Sequence, residues 1–107
     1  MPREKYQTLT EQMFYILLSL QNELCGVDIM KFVLDLTDNR VVIGPGTLYT
    51  LLDKFVSKKI IIETKIENRK KSYIITNYGK ELLKKEVDRL NTQIFDYKKM
   101  LEGEVYE

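Results

Sequence analysis

Six apolar residues near the end of the chain, Leu83, Val87, Leu90, Ile94, Tyr97 and Leu101, are spaced 4, 3, 4, 3 and 4. That is the heptad seam period of one helix lying along another. A helix from Asn77-Tyr78-Gly79 to about Leu101 is roughly 35 Å long at 1.5 Å per residue. A chain of 107 residues forms one domain and has little core left for such a helix. The spacing therefore predicts a homodimer with this seam as its interface. The competing packing folds the helix back on the domain's own first helix.

Ahead of the seam, three shorter helices and a hairpin are legible. Thr8 and Glu11 stand at capping-box spacing. Leu9, Met13, Ile16, Leu17, Leu20 and Leu24 then repeat at threes and fours, with Cys25-Gly26 closing the segment. Phe14, Tyr15 and Leu18 widen this apolar face and serve either as extra core or as cover for a second partner. A second helix from Val27 or Asp28 to about Thr37 would bury Ile29, Met30, Val33 and Leu36. Arg40-Val41-Val42-Ile43 reads as a short strand before the breakers Gly44-Pro45-Gly46. The third helix, about Thr47 to Lys58, has Thr47 at its N-cap or first turn. It carries Leu48, Leu51, Leu52 and Phe55 on one stripe and Thr47, Tyr49, Thr50, Asp53, Lys54 and Ser57 on the other. Two β-prone runs, Ile60–Ile66 and Ser72–Thr76, flank Glu67-Asn68-Arg69-Lys70-Lys71. They predict a tight hairpin whose tip projects Arg69, Lys70 and Lys71.

Composition narrows the function. The chain is 44% hydrophobic, too apolar for a disordered segment. Histidine is absent and cysteine occurs once, which excludes His-based triads, His/Cys zinc sites and disulfide scaffolds together. No cofactor and no metal are expected. The near carboxylate pairs, Glu63 with Glu67 and Asp35 with Asp38, lack a base or pocket, so no enzyme is expected. Met1-Pro2-Arg3-Glu4-Lys5 precedes no apolar stretch and no run is long enough to span a membrane, so the chain reads as cytoplasmic. Cys25 reads as an ordinary core residue.

Net charge is only +1, but it is unevenly placed. Residues 1–53 carry four Lys/Arg against seven Asp/Glu (−3), residues 54–85 ten against three (+7), and residues 86–107 three against six (−3). Such a block can be a solvated surface, yet this one spans the end of the third helix, the hairpin and the start of the last helix. Hydroxyls and cations on that helix face have the length to reach phosphates and base edges. The order helix, helix, short strand, helix, strand, strand, long helix describes a mainly α fold with a small β-hairpin. It is a winged helix-turn-helix over 1–77 with a C-terminal dimerisation helix over 78–107. Double-stranded DNA is the expected partner.

The residues also resemble the PadR-like transcriptional regulators. The likeness is carried by LTEQMFYILLSL (Leu9–Leu20), GVDIMK (Gly26–Lys31), GPGTLYTLLDKF (Gly44–Phe55) and KKSYIITNYGKELL (Lys70–Leu83). The resemblance implies a homodimeric repressor and assigns DNA contact to Gly46, Thr47, Tyr49, Thr50 and Lys54 on the third helix and to Arg69, Lys70 and Lys71 on the wing. Tyr73 is expected as a packed strand residue. Some members of the family bind phenolic acids or planar drugs. A small hydrophobic or aromatic effector would then sit among Phe14, Tyr15, Leu18 and Tyr97. The family's usual glycine before the first wing strand is Lys59 here, and its drug-stacking tryptophan is missing. The alternative function is a winged-helix protein-interaction module that does not bind DNA.

Overall fold

The computed structural model describes residues 8–103, so the Met1–Lys5 opening lies outside it. Thr10 starts the first helix, α1 (Glu11–Ser19), its hydroxyl accepting the Met13 N–H at 3.1 Å. The capping box expected at Thr8 does not form. Leu9 is buried, and the extended backbone of Thr10 turns it under the helix before the first turn begins. Met13, Ile16 and Leu17 supply the buried face; α1 ends at Leu20.

Leu24 does not extend that helix. With Cys25 it forms β1 (Leu24–Cys25), followed at once by α2 (Gly26–Leu36). The short strand thus precedes α2 instead of following it. Residues 40–43 make no ladder; they run as an extended link that plugs Val41 and Ile43 into the core. The Val41 N–H is satisfied by the Thr37 hydroxyl at 3.1 Å, so the link needs no strand partner. In α2, Ile29 and Val33 are buried and Met30 is partly so. Leu36, expected inside, is 53% exposed. The helix ends there in a left-handed turn, with Asp38 and Asn39 at φ 53 and 64 and the Asn39 N–H bonded to Leu34 O at 2.8 Å.

Next come α3 (Pro45–Ser57), β2 (Ile61–Glu67), β3 (Lys70–Ile75) and α4 (Asn77–Leu101). The antiparallel sheet has the order β1-β3-β2, with Leu24 opposite Tyr73 and Ile61 opposite Ile75. Eighteen hydrophobic side chains form one core between α1, α2, α3, the base of the sheet and the first turns of α4. The fold is the winged helix expected, with Leu24–Cys25 and not residues 40–43 as the strand that accompanies the hairpin.

Two junctions fix the wing to the core. At the end of α3 the Ile60 N–H bonds to Phe55 O (2.9 Å) and the Lys59 N–H to Val56 O (3.0 Å), a Schellman closure with Lys59 itself at φ 64. Lysine therefore occupies the left-handed site that glycine fills at lower cost. At the other end Thr76 caps α4. Its hydroxyl accepts the Gly79 N–H at 3.0 Å and donates towards the Lys59 and Ile60 carbonyls, each 2.8 Å away. A Cβ on Gly79 would lie 2.3 Å from Ile60 O, so only glycine lets α4 approach the start of β2. The T-x-x-G segment, Thr76 to Gly79, is thus the bolt between wing and last helix.

Candidate nucleic-acid interface

Helix α3 begins two residues earlier than the sequence suggested, because Gly44 serves as N-cap and Pro45 is pre-set for the first helical position. Leu48, Leu52 and Phe55 are buried and anchor it. Gly46, Thr47, Tyr49, Thr50, Asp53 and Lys54 are all exposed on its other side. A Cβ built on Gly46 meets nothing within 4 Å, so nothing in the fold requires glycine there. It leaves the backbone at the helix start open to close approach from outside.

Tyr49 is 43% exposed and leans across the turn between helices. A Cβ on Gly26 would stand 2.3 Å from its hydroxyl oxygen, so glycine at the start of α2 is what makes room for the phenol. Tyr49 therefore packs one edge against α2 while keeping the other in solvent. Sequence reasoning placed Gly26 only as a lead-in to the second helix and missed this role; a glycine at a helix's first position, where it weakens the helix, was the available signal.

The wing is narrower at its tip than expected. Glu67 pairs directly with Lys70, so the turn holds only Asn68 and Arg69, at φ 52 and 67. Two consecutive left-handed residues make a type I′ turn, which matches the twist of the strands. Arg69 alone of the three cations occupies the tip; Lys70 and Lys71 are the first residues of β3, on opposite faces of it. A bulge at Thr64 shifts the register between Glu63 and Lys65. Lys71 lies 3.9 Å from Glu63 and Lys65 lies 3.7 Å from Glu67.

Between α3 and the wing lies a cleft of about 340 Å³, lined by Gly26, Tyr49, Asp53, Arg69, Lys71 and Tyr73 among others. The structure thus brings Tyr49 together with all three wing cations, and the N-terminus of α2 opens into the same space. Tyr73 is buried as expected; burial raises its hydroxyl pKa, and the charges of Glu63 and Asp53 push the same way, so it stays protonated. Cys25 is not a core residue. It is half-buried at the N-cap of α2 and lines the cleft, its thiol 3.4 Å from the Asp28 carboxylate.

Beyond its third turn, α4 leaves the domain. Leu82, Leu83 and Glu86 are buried. Leu83 therefore belongs to the domain's own core, which moves the start of the exposed stripe to Val87. Val87 and Leu90 are partly exposed, and Ile94, Tyr97 and Leu101 are more than half exposed. At the exit point Glu86 accepts the Leu9 N–H (3.3 Å) and two bonds from Arg89, at 3.0 and 2.5 Å. The Arg89 hydrogen bonds hold the Glu86 carboxyl below its ordinary range and outweigh the effect of burial; the Leu9 N–H adds to them.

The four residues expected around an effector are not brought together. Phe14 and Tyr15 line a cleft of about 380 Å³ with Leu9, Glu86, Arg89 and Leu90. Leu18 lines a different groove, with Leu83 and Val87, and Tyr97 lines neither. One heptad of helix separates Tyr97 from Leu90, about 10 Å at 1.5 Å per residue. Among the described residues no group of acidic, His or Cys side chains is placed to hold a metal, and no helix is long and apolar enough to cross a membrane.

Among solved structures, RosR of H. salinarum, grown from NaBr, superposes with a TM-score of 0.63 at 24% identity, covering 92% of this chain and 91% of that one. The complex structure of hsRosR-S1 gives the same TM-score and identity over 84% of this chain and 77% of the other. These likenesses establish the fold. No curated protein matches the sequence. The transcriptional regulator PadR-like family matches residues 16–85, from the middle of α1 into α4 and through every element of the cleft. This chain belongs to the PadR-like family of transcriptional regulators.

Proposed function

We propose that the chain is a homodimeric repressor that reads a pseudo-palindromic operator with α3 and steadies itself on the duplex with its wing. The observation that carries this reading is the shared cleft: Tyr49 and Asp53 from the exposed side of α3, the N-terminus of α2 and the cations of the wing all line it. Thr47, Tyr49, Thr50 and Lys54 set register in the major groove, with Gly46 letting the backbone approach. Lys70 and Lys71 add phosphate contacts. The α4 stripe from Val87 to Leu101 supports pairing with a second copy, which would place two half-sites about one helical turn apart. The reading places the protein in the cytoplasm, beside its DNA.

Replacing Arg69, Lys70 and Lys71 by alanine tests it. Affinity for all duplexes should fall, with a shallower dependence on salt. An unchanged slope would remove the wing from the interface. Release by a small aromatic effector is supported by the apolar walls of the Phe14–Tyr15 cleft beside Leu90. A melting-temperature shift with phenolic acids or cationic dyes tests it, and no shift with either class counts against it.

A further inference from the structure

We infer that the cleft between α3 and the wing is a binding site for a free nucleotide whose base carries an exocyclic amino group. Binding of such a ligand needs no DNA; its consequence, competition with the operator, rests on the function proposed above. The floor of the cleft is the first observation. Tyr73 is only 3% exposed, yet its hydroxyl has no hydrogen-bond partner among the described residues. No fully buried side-chain oxygen among them lacks a partner, so this hydroxyl must reach the cleft that Tyr73 lines. It stays protonated, because burial and the charges of Glu63 and Asp53 all oppose its ionisation. A donor so placed is satisfied only by water or by a ligand.

The walls define what fits above that floor. Arg69 and Lys71 line the wing side, and the first turn of α2 faces the same space with Gly26 and Val27. Cys25 at the N-cap makes no side-chain bond to that turn, which leaves its N–H groups to an outside acceptor. Two cations, a helix N-terminus and a phenol together suit a phosphate. The α3 side has the opposite sign. Asp53 lines it and would repel a phosphate, but its carboxylate can accept the amino group of a nucleobase. Tyr49 beside it, reaching across to Gly26, offers a ring on which the base can stack. An anion on one wall and an amino-bearing ring on the other are the two ends of a nucleotide. The cleft's volume of about 340 Å³ falls within the range of small-molecule sites, roughly 300–1,000 Å³.

The test is calorimetric titration of the unaltered full chain with AMP, CMP and GMP, with IMP and UMP, which lack the amino group, and with inorganic phosphate. At least one of the first three should bind saturably, one per chain, and more tightly than IMP, UMP or phosphate. Tyr73→Phe should weaken that nucleotide at least about tenfold, the scale of a hydrogen bond to a charged group, and leave the melting temperature unchanged. Asp53→Ala should erase the preference over IMP and UMP. At saturation the nucleotide should displace any duplex that the chain binds. No binding of AMP, CMP or GMP, equal binding of IMP, UMP or phosphate, or an affinity that survives Tyr73→Phe overturns the inference. A bound nucleotide that leaves the duplex in place overturns the competition. A chain that binds the nucleotide but no duplex overturns the operator-reading function alone.

Discussion

Replacing Arg69 by glycine should move fold stability and DNA affinity in opposite directions. A left-handed L residue costs about 1–2 kcal/mol, and glycine gives back about 0.5–1 kcal/mol through the extra freedom of the unfolded chain. The net gain in stability is about 0.5–1 kcal/mol. With an unfolding entropy of about 2.1 cal/mol/K per residue over 107 residues, the melting temperature should rise by about 2–4 °C. On DNA, each neutralising cation removed lowers the slope of log K against log salt by about 0.9, so a dimer should lose about 1.8. Calorimetry at fixed protein concentration and fluorescence anisotropy across a salt series read the two effects on one preparation. A lower melting temperature would refute the claim that the tip is strained. An unaltered slope would refute its contact with DNA.

Lys59→Gly relieves the same strain at the Schellman closure and should raise stability by about 0.5–1 kcal/mol in denaturant titration; a loss would mean the lysine side chain holds the junction. Gly46→Ala should stabilise α3 by up to about 0.5 kcal/mol yet weaken specific DNA binding, and equal binding would show that the helix start stays clear of the duplex. Ile94→Asp places a charge in the exposed α4 stripe, and sedimentation should then find monomers at concentrations where the unaltered chain is paired. Glu86 has a depressed folded-state pKa, so its contribution is complete above the ordinary glutamate range and disappears as pH falls through the lower folded value. Glu86→Gln should therefore cost about 1–2 kcal/mol at pH 7 and flatten the acid limb of the stability curve; an unchanged acid limb would rule out this carboxylate as its source.

Most of the helical framework was legible because each helix carries one apolar stripe, although α1 and α3 end without a glycine or proline behind them. The strand order was less so. Val41 and Ile43 are β-branched and buried, but their burial comes from plugging the core, and propensity cannot distinguish a plug from a ladder. Leu24 and Cys25 look like the tail of α1, and only Tyr73 and Ser72, about fifty residues later, make them a strand. Within the site, the exposed face of α3 followed from its period. The cleft did not, because it depends on Tyr49 crossing to Gly26 and on the Thr64 bulge that sets the wing's register. Leu83 fits the seam period yet belongs to the core, since the first turns of α4 still pack on the domain that the rest of the helix leaves. The buried Glu86 at that exit has no signature in a stripe of apolar residues.

The central claim is sequence-specific DNA reading by a dimer, and anisotropy with the duplex upstream of the protein's own gene tests it most directly. Titrating that duplex and a scrambled one over a range of salt should show tighter binding to the former, a steep salt slope, and two chains bound per duplex. Absence of binding to either duplex at low salt would contradict the account and leave the winged helix as a protein-interaction module.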